Sequence, residues 1–201
     1  MNFSEQLHLP FISQTSSSGD RNFDIYSRLL AKRIIFLRGE ATEEIANSVV
    51  AQMLFIDACE DPERDIFLYI NCSDGSATAA LTIYDTMTQL RADICTVCIG
   101  TAKGMGAFLL SSGTKGKRSA LPNAQIAIAQ PLGHAQGKAS DIEATAKEIL
   151  SLREIVNNIL ATNTGQSIEQ IKLDTERDFY LSAEAARDYG LIDNIVQKIP
   201  A

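Results

Sequence analysis

DICTVCIGTAKGMGAFLLSSGTKG, residues 93–116, is the stretch on which the reading of this chain turns. It opens with a short, apolar, β-branched run and continues into GMGAFLLSSG, an apolar helix, with small residues between them. A strand end, a tight turn of small residues and a helix make the approach to a nucleophile, because that turn lifts one side chain clear of the backbone. At the place where an attacking hydroxyl belongs, the chain has Gly104.

Working outward, the same alternation recurs. FDIYSRLLAK predicts a helix, RIIFLRG a strand, and the segment from about Thr42 to Cys59 a helix that Thr42 caps, with Glu43 and Glu44 at the positive end of its dipole. DIFLYIN then predicts a strand and ATAALTIYDTMTQL a helix, and beyond residue 116 two short strands follow around RSAL and QIAIAQ. Short apolar strands separated by helices argue for an α/β protein with a largely parallel sheet. SDIEATAKEILSLREIVNNILAT is the longest helical pattern, with Ser140 placed to cap it and Ile142, Ala146, Ile149, Leu152, Ile155, Ile159 and Leu160 forming one apolar stripe. A helix this long outlasts a small sheet and can project towards a second subunit. The remainder predicts a short helix, a loop, a helix stopped by Gly190 and a last strand, while residues 1–22, ending SQTSSSGDRN, predict a mobile arm.

Composition narrows the partners. The chain has 201 residues, enough for one domain with its own core, and 45% hydrophobic with 21% charged residues is the balance of an ordinary soluble protein. A formal charge of −7 argues against nucleic acid or an anionic membrane as the main partner, and KGKR at 115–118 is too short to reverse it. No apolar run approaches the roughly 18 residues that span a bilayer, and MNFSEQLHLPF lacks the pattern of a secretory signal, so a cytoplasmic address is expected. Cys59, Cys72, Cys95 and Cys98 agree with it: the one close pair, Cys95-Thr-Val-Cys98, lies in an apolar strand whose positions three apart face opposite ways, and these read as buried thiols. No metal is expected, since the two histidines are far off in sequence.

The stretches FDIYSRLL, VAQMLF, YIN, IYDTM, GMGAFLL, KGKR, LPN, QPLG, TGQS, DTERD, LSA and YGLID occur in an order and spacing that closely resemble ClpP, the proteolytic core subunit of the ATP-dependent Clp protease. The resemblance covers about residues 10–197. It implies an α/β fold of the ClpP/crotonase-like type, a spiral of ββα units, over residues 23–201, with a protruding handle helix at about 138–163 and an N-terminal axial arm at 1–22. It further implies stacked heptameric rings, an AAA+ Clp ATPase chaperone that feeds unfolded protein substrates, Ser-His-Asp hydrolysis and no cofactor.

Carried over position by position, the nucleophilic serine falls at Gly104, the histidine at Ala129 and the aspartate at Asp178. Glycine has no hydroxyl to attack a carbonyl, and alanine can neither take a proton nor return it to the leaving amine. Ser111, Ser112 and Ser73 are the nearest substitute nucleophiles, and His8 and His134 the only imidazoles, in the arm and in the turn before the handle. Without its imidazole, Asp178 is expected to pair with a nearby arginine. The oxyanion donors fall on the backbone of Met105, after the serine position, and of Gly75, in a loop reading NCSDGS where the family usually has NSPGG, so that Asp74 brings a carboxylate to a place where negative charge would develop. Gln130 and Arg177 match a polar network between rings. Tyr69 matches the chaperone-docking cleft, whereas Gln89 and Ser119 stand where that cleft is usually aromatic or bulky.

The resemblance therefore implies a triad-deficient paralogue, similar in role to the ClpR subunits that join active ClpP subunits and themselves in mixed rings, in the cytoplasm or, if plastid-encoded, the plastid stroma. The alternatives are an inactive homomeric cage and a crotonase-type protein binding a coenzyme A thioester through the same backbone donors.

Overall fold

A computed structural model describes residues 11–16, 19–58 and 64–198. Within the expected arm, β1 (Phe11–Ser16) and β2 (Gly19–Asp24) pair as an antiparallel hairpin, separate from the main sheet. Then follow α1 (Ile25–Leu30), β3 (Ile34–Ala41), α2 (Glu43–Asp57), β4 (Ile66–Gly75), α3 (Ala77–Gln89), β5 (Ile94–Lys103) and α4 (Met105–Ser111). The second half contains β6 (Arg118–Ala120), β7 (Gln125–Ile128), α5 (Ala139–Thr164), α6 (Ile168–Asp174), β8 (Phe179–Leu181), α7 (Ala183–Tyr189) and β9 (Asn194–Ile195).

The main sheet runs β3-β4-β5-β6-β9, every pair parallel, and it forks at β5. Thr96–Cys98 of β5 pair with β6, while Thr101–Lys103 pair with β7. β8 then adds to β7 antiparallel, a strand in the segment for which the sequence predicts only a loop. Its three residues are too few to carry an alternating pattern of their own, and the edge of β7 induces them to pair. Repeated strand and helix units of this kind, with one long projecting helix, make the ClpP/crotonase-like fold.

Local signals explain most of the helices. Thr42, Ser76, Ser167 and Ser182 each stand just ahead of a helix and accept from a backbone N–H three residues on, at 3.3, 3.4, 3.1 and 3.2 Å. α5 departs from expectation. It starts at Ala139, one residue before the predicted cap Ser140, and Asp141 reaches back to the Lys138 N–H at 3.4 Å. Ser140 lies inside the first turn, and its hydroxyl donates to Asp141 Oδ1 at 3.4 Å instead of capping the helix.

The core lies between the sheet and α2, α3 and α4. Ile66, Leu68 and Ile70 on β4 face Met53, Ile83 and Phe108, all buried, each worth about 1.5–3 kcal/mol of apolar burial. α4 lies especially close to β4: a Cβ at Gly106 would sit 2.8 Å from the Cys72 carbonyl oxygen. The opposite sheet face carries a smaller cluster of Ile34, Tyr69 and Val97 with Phe36, Phe67 and Ile99 packed beside it. The buried residues of α5, Val156, Asn157, Leu160 and Thr164, all lie in its C-terminal half, while Ile142, Leu150 and Ile155 remain exposed. Leu160 of the predicted stripe is thus core and Ile142 and Ile155 are not, as expected of a helix that outlasts its sheet.

Arg118, on β6, is almost wholly buried and closes the C-terminal strand onto the domain. It donates to both carboxylate oxygens of Asp193, from Nε at 2.9 Å and Nη2 at 2.6 Å, and to the carbonyls of Ser111 and Asn163. Burial alone would raise the Asp193 pKa. The Arg118 hydrogen bonds, with backbone donors from Arg118 and Gly116, outweigh it and hold the carboxyl below its ordinary 3.8. Asp193→Asn is expected to cost about 3–5 kcal/mol of stability at neutral pH, because it leaves a buried guanidinium without its counter-charge. A depressed folded pKa contributes stability fully above the unfolded value and loses it as pH falls through the folded one. The gap between wild type and variant in denaturant unfolding should therefore close below about pH 4.

Candidate active site

β4 and β5 end side by side, with Cys72 opposite Ala102. Gly104 then turns the chain from β5 into α4 with φ +48 and ψ −114, a left-handed conformation that a side chain tolerates poorly. The turn is anchored on both sides: the Gly104 N–H donates to the Ala127 carbonyl at 2.9 Å, and the Gly104 carbonyl accepts from Phe108 N–H at 3.0 Å. The turn is thus a strained strand-to-helix joint with no side chain on it.

The neighbouring positions converge on that turn. β7 and β8 pair Ile128 with Phe179, so the next residues outward, Ala129 and Asp178, lie across from one another beside the Gly104 anchor. Ala129 is half-buried and Asp178 exposed. Asp178 does not pair with an arginine as expected: it accepts the Tyr180 hydroxyl at 3.1 Å. Two residues apart on an extended strand, both side chains point the same way, which explains the choice. That hydrogen bond to the carboxylate holds the Tyr180 phenol above its ordinary pKa. The Lys103 ammonium lies 5.1 Å from the centroid of the Tyr180 ring. Lys103 and Tyr180 were not singled out by the sequence; a lysine directly before the glycine of the turn is the one signal that pointed there.

The backbone donors of Gly75 and Met105 also converge, and both are engaged. Asp74 Oδ1 accepts from the Gly75 N–H at 2.8 Å and from the Met105 N–H at 3.3 Å. The sequence places this carboxylate beside the pair; the geometry puts it on the pair. Adjacent to it, Glu40, Glu43, Asp74, Gly75, Leu132 and His134 line a cavity of about 500 Å³.

Among the described residues, the substitutes are either engaged in local hydrogen bonds or exposed. Ser111 is buried and its hydroxyl donates to the Phe108 carbonyl at 2.8 Å, as does that of Ser112 at 2.7 Å. Ser73 and His134 are exposed, and His134 is the one histidine among the described residues, His8 lying outside them. Among those residues no group of three or more His, Cys, Asp or Glu side chains is placed to hold a metal. Cys72, Cys95 and Cys98 are buried free thiols; Cys59 lies outside the described residues. Burial, with a hydrogen bond to Asp65, pushes the Cys95 thiol up to about 12, and burial pushes Cys98 up to about 11. Cys98 belongs to the main core and Cys95 turns to Asp65 at 3.3 Å, so the two do not face each other.

The residues carried over for assembly sit elsewhere. Gln130 bonds the segment before β8, its N–H to the Thr175 carbonyl at 3.0 Å and its Nε2 to the Glu176 carbonyl at 3.3 Å. Arg177 is exposed, and Arg153 of α5 pairs with Glu176 at 2.9 Å. Tyr69, Val97 and Ser119 form one row across β4, β5 and β6. Gln89 is exposed at the end of α3, which packs on the other sheet face, so the three cleft residues do not meet within one chain.

Among the described residues, no helix is long and apolar enough to cross a membrane. The family model described as Clp protease matches residues 17–199, which takes in every element from β2 to β9. The chain therefore belongs to the Clp protease family, the ClpP group of serine proteases that work as oligomeric rings with an ATPase.

Proposed function

We propose that this chain is a non-catalytic subunit of a Clp protease core, joining active ClpP subunits in mixed heptameric rings as ClpR subunits do. The observation that carries this reading is the strained turn at Gly104, kept with nothing on it to attack a carbonyl. Ala129 supplies no base beside it, and Asp178 is engaged by Tyr180. Without nucleophile and base, oxyanion stabilisation and binding leave only about 10³–10⁴ of acceleration over water, far short of peptide hydrolysis. Each such subunit removes one cleavage centre from the chamber while contributing wall and ring contacts, for which Gln130 and Arg177 are the candidates. An enolate-stabilising, crotonase-type role finds less support, because Asp74 already accepts from both backbone donors.

The docking of the ATPase should be altered as well. Gln89 and Ser119 put polar groups where apolar contact is usual, and each unpaired polar group buried there costs about 1–3 kcal/mol.

Purified to homogeneity, the chain is expected to take no covalent label from a fluorophosphonate and to hydrolyse neither casein nor fluorogenic peptides; labelling would sink the non-catalytic reading. Native mass spectrometry of the particle from its source cell should show a second, triad-bearing subunit, whereas rings of this chain alone would make it a homomeric cage. Homomeric rings of this chain should bind the ATPase at least about tenfold more weakly than rings of the active paralogue, in line with one lost apolar contact; equal affinity would count against altered docking.

A further inference from the structure

The position of Asp74 says more than that catalysis is absent. Its Oδ1 accepts from two N–H groups on different elements, Gly75 at the end of β4 and Met105 at the start of α4. α4 has no side-chain cap of its own, since its preceding residue is Gly104, so Asp74 supplies from across the turn the acceptor that the Met105 N–H lacks. The same oxygen takes up the space next to position 104. A Cβ built on Gly104 would overlap Asp74 Oδ1 and lie 2.7 Å from Asp74 Cγ.

We infer that Asp74 is a built-in lock on the degenerate centre: its carboxylate occupies the paired backbone donors in place of a substrate oxygen, and excludes any side chain from position 104. This deepens the non-catalytic reading and rests on it. Two consequences follow from geometry. A substrate carbonyl approaching the Gly75 and Met105 N–H groups meets a carboxylate oxygen already hydrogen-bonded to both, and developing negative charge there would face a like charge. A serine at 104 and an aspartate at 74 compete for one volume, so the loss of catalysis involves two coupled positions and is not undone at either alone. Swinging Asp74 away is opposed too, because it would leave the N–H of half-buried Gly75 and of buried Met105 without their acceptor.

The test is a double-mutant cycle on the full chain, read by thermal unfolding: Gly104→Ala, Asp74→Gly and the two together. Alanine adds only the Cβ. The cost of a left-handed backbone at 104 is present in both backgrounds and cancels, so the coupling isolates the clash. Gly104→Ala is expected to lower the melting temperature by about 3 °C or more beyond its effect in the Asp74→Gly background. Equal losses in the two backgrounds overturn the lock.

A second arm uses the chemistry. With Ala129→His present throughout, the Gly104→Ser chain is compared with and without Asp74→Gly for its rate of labelling by a fluorophosphonate. The restored serine oxygen would bond to phosphorus, fluoride would leave, and the imidazole would take the proton. Labelling is expected to be at least about 100-fold faster once Asp74 is glycine, the scale of gaining an oxyanion donor. Equal labelling overturns the lock, and if neither serine variant reacts the stability cycle decides alone. Labelling of the unmodified chain is a different result, which overturns the non-catalytic reading itself.

Discussion

The joint between β5 and α4 is a single residue, Gly104, held at φ +48 by hydrogen bonds to β7 on one side and to the first turn of α4 on the other. Its geometry is imposed by the fold. β5 keeps pairing with β7 as far as Lys103, α4 begins at Met105, and the helix lies so close to β4 that Gly106 has no room for a Cβ beside the Cys72 carbonyl. One residue bridges β5 and α4 here, so the turn is set by the packing of the two elements.

The range of each signal decides what could be read from sequence. Parallel strands and capped helices were legible because their signals are local: an apolar β-branched run at 94–99, or Thr42 and Ser76 ahead of helices whose first free N–H groups they satisfy. The identities of Gly104 and Ala129 are equally legible, since they depend on the sequence alone. What sequence did not show depends on pairing between distant segments. β8 exists because β7 offers an edge, Asp178 meets Tyr180 rather than an arginine because both lie on one side of that short strand, and α5 starts one residue before Ser140, which places that serine inside the first turn.

The charges around the Gly104 turn make a small surface group: the Asp178 carboxylate accepts the Tyr180 phenol, and the Lys103 ammonium lies over that phenol's ring. These contacts are exposed and contribute little to stability, as surface electrostatics usually do. The contrast with Arg118 and Asp193 is one of burial: the guanidinium has almost no access to water, so its four acceptors carry a structural weight that Lys103 and Asp178 do not.

The backbone donors pose the remaining problem. The fold that forces the turn at Gly104 also directs the Gly75 and Met105 N–H groups into one space, and it does so with or without a reaction to catalyse. In an active centre that space is kept open for substrate, so the two donors wait on water or on a carbonyl. Here an acceptor supplied by the chain itself, the Asp74 carboxylate, satisfies both donors at once. Glycine at 104 also relieves the strain that any side chain would carry there. The same two residues thus settle the local packing, Gly104 by relieving the turn and Asp74 by satisfying the donors beside it.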